Sequence, residues 1–253
     1  MESAKCKFGS YHLSVVFAFF VLFATAIIGR AEQQELHFYV PNSPPQGIPS
    51  GEKKGIMADV AVEAARRAGY RATIEMLPWP RTLAYVKGGK NLFIAGLSRH
   101  QSREDSYTWV YPVFTLWRTF ITTGQKIENY EEGRTKLKSV ATHFGSLEIS
   151  MLQEKGFSES QIVKITNETD QIGFLLSGRI DALYRPAVEI QWLSRGRQDV
   201  EKVVYGALMQ PTSQYIACSL DCSEGIVLNL QSALKAMDED GTLQRIIGSY
   251  TEQ

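Results

Sequence analysis

Pro78-Trp79-Pro80-Arg81, Val86-Lys87-Gly88-Gly89, Gly96-Leu97-Ser98 followed by Arg103, and Tyr111-Pro112 stand in order along one stretch of a 253-residue chain. Ser98 offers a hydroxyl, Trp79 a flat apolar wall, and Arg103 a guanidinium, which grips a carboxylate through two parallel hydrogen bonds. Such a set suits a small anion and carries no visible machinery for turning one over. Taken alone, Arg103 beside Glu104 and Asp105 reads first as a solvated loop arginine, and Trp79 reads equally as a core residue.

The rest of the chain adds little catalytic chemistry. Past the N-terminal segment the histidines are His37, His100 and His143, with no pair at the helical spacing of a metal site, no phosphate-cradling glycine loop and no strand-turn-helix nucleophile motif. No metal and no cofactor is expected, and no enzyme activity. His143 near Ser146 and Glu148 is the one place where proton transfer is imaginable. A histidine at a strand end is more often structural.

Lys5 and Lys7, the uncharged apolar run from Val15 to Ile28, and Gly29-Arg30-Ala31 read as a signal peptide over residues 1–31, with the mature chain starting at Glu32. The apolar run is shorter than the ~20 residues a membrane-spanning helix needs. Cys6 precedes the run, which rules out the acylated cysteine of a lipoprotein. Export to the periplasm follows as the expectation. Lysine plus arginine equal aspartate plus glutamate at 27 each, so there is no electrostatic pull toward nucleic acid or an anionic membrane. In an oxidising compartment Cys218 and Cys222 are expected to be bridged, which needs Ser219-Leu220-Asp221 to turn; two reduced, half-buried thiols are the alternative. The Asn167-Glu168-Thr169 sequon matters only in a host that glycosylates.

These groups need a scaffold, and strand and helix alternate in a way that predicts an α/β fold. The first half reads as strand 36–40 ended by Pro41, a rigid proline-rich loop, a helix from Ile56 to Gly69, strand 72–76, a helix over 82–87 and strand 92–97. A second half echoes it: strand 139–142, a helix opened by Gly145-Ser146 and closed by Gly156, strand 162–165, a helix over 170–176, and strand 180–184. Tyr215-Ile216-Ala217 reads as a further strand, before a helix with Ile226, Leu230, Leu234 and Met237 on one face and a short last helix after Gly241. Ser146 has two compatible uses, as helix N-cap and as ligand contact.

The chain resembles the extracellular solute-binding proteins of the polar amino-acid uptake type. The resemblance lies in the order and spacing of Gly55-Ile56-Met57-Ala58-Asp59, Trp79, Gly88, Ser98 with Arg103, Tyr111-Pro112, Gly145-Ser146, Ser177-Gly178-Arg179-Ile180-Asp181-Ala182, and Leu234 to Gly241 ahead of Tyr250. It implies a two-lobed periplasmic-binding fold of type II, with residues 32–122 in lobe 1, 123–205 in lobe 2 and 206–253 returning to lobe 1. The crossings fall near Ile121-Thr122-Thr123 and Val204-Tyr205-Gly206. It further implies a monomer that captures a small molecule between its lobes, with Arg103 as carboxylate clamp and Ser98 as supporting donor, and docking of the closed form on the permease of an ABC importer. A periplasmic sensor for a signalling partner, or a dehydratase of small carboxylates resembling cyclohexadienyl dehydratase, are the alternatives the same resemblance allows.

Departures from the family's pattern point to the ligand. Relatives hold the α-ammonium of an amino acid with an acidic residue where this chain has Pro186, preceded by Arg185; Met57 also replaces an acidic residue, and Pro44 stands where relatives often carry an aromatic. Arg81, Arg99 and Arg185 are further cations for the cleft, each equally readable as a surface arginine. Missing the ammonium partner and richer in arginine, the site is expected to take an anionic or carboxylate-bearing solute. Trp79, Arg81, Gly96, Ser98, Arg103, His143, Gly145, Ser146 and Arg185 form the expected ligand-binding set.

Overall fold

The computed structural model describes residues 33–165 and 170–251. The signal-peptide reading of 1–31 and the sequon at 167–169 lie outside the described residues.

Strand β1 (Glu35–Pro41) pairs in parallel with β2 (Arg71–Leu77) and β3 (Leu92–Ser98). Helix α1 (Ile56–Arg67) follows the proline-rich loop, and its buried Ile56, Met57, Val60, Ala61, Ala64 and Ala65 recur at helical spacing. Its first amides have no partner within the helix and bond outward, Ile56 N–H to the Pro45 carbonyl and Met57 N–H to that of Gln46, both at 2.9 Å. Gly55 makes this approach possible: it sits at φ +104, and a Cβ there would lie 2.5 Å from the Gln46 carbonyl. The helix start thereby pins Gln46 in the loop that follows β1.

Helix α2 (Trp79–Gly88) begins three residues earlier than its apolar spacing suggests. Pro80 is tolerated because the first-turn amide it lacks has no helical partner in any case. Trp79 thus opens the helix.

A strand absent from the sequence reading, β4 (Thr108–Thr122), absorbs Tyr111-Pro112 and runs for 15 residues. It pairs antiparallel with β9 (Met209–Cys218) from Thr108 opposite Cys218 to Arg118 opposite Met209. From Arg118 opposite Pro186 to Ile121 opposite Leu183 it pairs with β7 (Ala182–Pro186). Arg118 is where the partner changes. Next come α3 (Tyr130–Lys136), β5 (Val140–His143), α4 (Leu147–Glu154), β6 (Ile162–Ile165), α5 (Gln171–Leu176), β7, α6 (Ala187–Ser194) and the two-residue β8 (Val204–Tyr205) on β4. The chain ends with β9, α7 (Glu224–Glu239) and α8 (Thr242–Thr251). Strand β7 lies two residues beyond its expected start, which places Arg185 and Pro186 at its carboxyl end.

The strands form one sheet in the order β2-β1-β3-β9-β4-β7-β5-β6. Its apolar clusters divide at the β4 switch. Two draw on residues 36–113 and 216–250, one centred on Phe38, Ile56, Phe93 and Leu230 and one on Tyr39, Ile94 and Leu97. Two draw on residues 120–209, around Phe120, Val140 and Tyr184 and around Ile121, Ala141 and Leu183. This is the two-lobed α/β arrangement with a mixed sheet flanked by helices. The segments read as crossings, Ile121-Thr122 and Val204-Tyr205, pair with each other, and Ile121 belongs to the second set of clusters. Cys218 and Cys222 are bridged, with Cα atoms 6.1 Å apart.

Candidate functional site

The carboxyl ends of the parallel strands from both halves converge on one cavity of about 470 Å³. In α/β sheets ligands gather outside such ends. β1 contributes Pro41 and the loop residues Ser43 and Gln46, β2 leads to Trp79, β3 ends in Gly96 and Ser98, β5 in His143, and β7 in Arg185.

Ser98 is held by two donors: its Oγ accepts from Arg118 Nη2 at 3.3 Å and from Gln214 Nε2. With both lone pairs engaged, the hydroxyl proton is left to donate into the cavity. Arg103 lies on the 3₁₀ turn Gln101–Ser106, donates to the Ser98 carbonyl at 3.4 Å, and stacks 5.9 Å from the centroid of Trp79. Among the described residues no carboxylate pairs with Arg103. Burial pulls its pKa below the ordinary guanidinium value, with Glu148 opposing. A half-buried cation without a carboxylate partner, lining the same cavity as a hydroxyl free to donate, is a seat for an anion.

Beneath it lies a network that sequence reasoning passed over. Arg118, 1% exposed, donates Nε to Glu148 and Nη1 to Thr212 Oγ1 at 2.6 Å. It therefore ties α4 of one half to β9 and to Ser98 of the other. Burial would raise the Glu148 pKa, but Arg118 and Arg185 overcome it and hold the carboxyl at about 2. No local motif announces Arg118; the signal is an arginine inside an apolar strand, where an unpaired charge is costly.

Arg185 faces the cavity with its side chain 4% exposed, paired to Glu189 on α6 and reaching Ser43 Oγ at 3.4 Å. Glu189 also accepts from Gln46 Nε2 at 2.6 Å, joining the halves again. Its place in the first turn of α6 suits the positive end of the helix. His143 Nε2 lies 2.9 Å from Gln171 Nε2. Burial and the nearby Arg185 push the His143 pKa down to about 2, so the ring is neutral at physiological pH.

Of the expected set, Trp79, Gly96, Ser98, Arg103, His143, Ser146 and Arg185 line the cavity. Arg81 is exposed and lies outside it, because residues two apart on a helix face different ways and Trp79 takes the inward side. Gly145 lies outside the lining as well; at φ +74 it turns the chain against Pro80, while Phe144 and Ser146 on either side face in. Arg99 is bound to Glu104 and stacked over Trp109 and Tyr215. Ser146 occupies the N-cap position of α4, yet its hydroxyl caps nothing and meets Thr142 Oγ1 at 3.3 Å. Among the described residues no cluster of histidine, cysteine or carboxylate side chains fits a metal ion, and no helix is long and apolar enough to cross a membrane.

The chain resembles known proteins in sequence and in fold. The L-cystine-binding protein TcyA of Bacillus subtilis (strain 168) is 22% identical over 198 residues, covering 76% of this chain and 70% of its own. Among solved structures, a mutant of ArgBP from T. maritima superposes with a TM-score of 0.75 at 17% identity, covering 87% of this chain and 96% of that one. A histidine kinase sensor domain described as similar to periplasmic binding proteins superposes with a TM-score of 0.78 at 15% identity, covering 87% and 97%. At such identities the superpositions establish the fold, that of type II periplasmic binding proteins. The model of the bacterial extracellular solute-binding proteins, family 3, matches residues 38–253, and the chain belongs to that family.

Proposed function

We propose that this protein captures a small carboxylate-bearing solute in the cleft between its halves and presents it to a membrane permease. The observation that carries the reading is the Arg103 guanidinium, stacked on Trp79, without a carboxylate partner, and lining the same cavity as the Ser98 hydroxyl. Closure is proposed to flex β4 and β9 near Arg118 and Met209, where β4 changes partner. Binding energy then goes into favouring the closed form. Capture rather than turnover fits the acid–base groups at hand: His143 and Glu148 both titrate at about 2. Neither is tuned near neutrality, as a general acid or base requires.

The test is a thermal-shift screen over amino acids, hydroxy acids, dicarboxylates and their esters, followed by calorimetry on the best ligand. Free acids should raise the melting temperature and their esters should not. Arg103→Met should weaken the best acid at least about thirtyfold, the lower end for truncating a buried charge partner. Unchanged affinity in Arg103→Met would refute the assignment.

A further inference from the structure

Two polar side chains among the residues that line the cavity keep unused hydrogen-bonding capacity. Arg185 Nε and Nη1 are buried without a partner, and so is Gln46 Oε1. Both residues line the cavity, and Gln46 is 5% exposed. Buried groups of this kind cost free energy unless something satisfies them. The Gln46 amide has one orientation available, since its Nε2 donates to Glu189, a carboxylate that can only accept. The site thus offers donors from Arg185 and an acceptor from Gln46.

Charge decides what fits between them. Glu189 uses one oxygen on Gln46 and the other on Arg185, and Glu148 is engaged by Arg118. Both carboxylates are committed to guanidinium partners, so a ligand ammonium would have to compete with those cations for them. A second ligand carboxylate is also a poor match. It would share the Arg185 guanidinium with Glu189 in a desolvated place, and Nε and Nη1 flank the nitrogen already used, so they form no two-pronged edge. With the Arg118–Glu148 and Arg185–Glu189 pairs neutral and His143 uncharged, Arg103 is the one unbalanced charge among the described lining residues.

We infer that the ligand carries a single negative charge, its carboxylate on Arg103 and its far end an uncharged group that both donates and accepts, a carboxamide or a hydroxyl, seated between Arg185 and Gln46. This rests on the Arg103 reading and narrows it, setting the site apart from one for zwitterionic amino acids or for diacids.

A matched series tests it: glutaramate, glutarate, and the ω-hydroxy and ω-amino acids of the same length, each with its one-carbon-shorter homologue, and L-glutamine beside glutaramate. In calorimetry on the mature protein, the carboxamide or hydroxyl member should bind about tenfold tighter than the diacid and the ω-amino acid, as a pair of satisfied hydrogen bonds implies. Glutaramate should likewise exceed L-glutamine. The paired change Arg185→Met with Glu189→Met removes the buried ion pair as a unit, which proteins commonly tolerate. It should level the series while all members still lose binding in Arg103→Met. Gln46→Met, a milder change, should weaken the carboxamide and hydroxyl members and leave the methyl ketone analogue, an acceptor only, unaffected. The diacid, ω-amino acid or L-glutamine binding tightest, no member binding at either length, or an unlevelled series in the paired variant would overturn the inference. If a levelled series also survived Arg103→Met, the carboxylate clamp would be what fails.

Discussion

Glu148→Gln leaves the Arg118 guanidinium buried without its counter-ion, and the cost follows from the structure. A carboxyl moved from 4.5 to about 2 contributes about 3 kcal/mol at neutral pH, at ~1.4 kcal/mol per pH unit. The 3–5 kcal/mol typical of breaking a buried pair agrees in size, roughly. For a protein of this length that is a fall in melting temperature of about 6–12 °C. The sign with pH is fixed, because the folded-state pKa is depressed: the parent's advantage over Glu148→Gln is complete above 4.5 and fades as pH falls through about 2. Urea unfolding of both proteins from pH 7 downward measures the gap directly, with all other carboxylates common to the two. Arg118→Met combined with Glu148→Gln should cost less than the sum of the single changes, because the second change no longer strands a charge. A cost below about 1 kcal/mol, or a gap that does not narrow toward low pH, would mean that Arg118 is solvated and the proposed floor of the site is wrong.

Gly96→Ala should weaken ligand binding as well as stability. At φ +107 its added Cβ would sit 3.2 Å from Met57 and Pro41 and 3.3 Å from Gln46 Oε1, a strain of about 1–3 kcal/mol measurable by denaturation beside calorimetry. Reducing the Cys218–Cys222 bridge, or replacing both residues with serine, should lower stability by roughly 2 kcal/mol, since so short a loop constrains the unfolded chain little. Ligand affinity should be unchanged, as neither cysteine lines the cavity. His143 should show no titration between pH 4 and 8 in ring-proton NMR, its pKa lying at about 2; a midpoint near 6.5 would place the ring in solvent.

Much of this protein was legible in local pattern. Apolar residues recurring every three to four positions gave α1 and α7, period-two and short apolar runs gave β1, β3 and β6, and Cys218 and Cys222 were close enough in sequence for a bridge. The family spacing of Ser98 and Arg103 brought both to one cavity wall, because strand end and following turn are contiguous in the chain. What depended on distant segments was out of reach. β4 lacks clean alternation because its two ends serve different halves, and its Arg118 has meaning only beside Glu148, Thr212 and Ser98, 20 to 94 residues away. Arg81 and Arg185 are alike as sequence, yet one faces out and the other is buried against Glu189. The sequence by itself set which stretches become strand or helix and where a clamp could stand, since those follow from interactions between near neighbours. Only the tertiary structure decided which charges are neutralised in pairs and which one is left over, because a buried charge takes its energy from whatever packs against it, wherever along the chain that comes from.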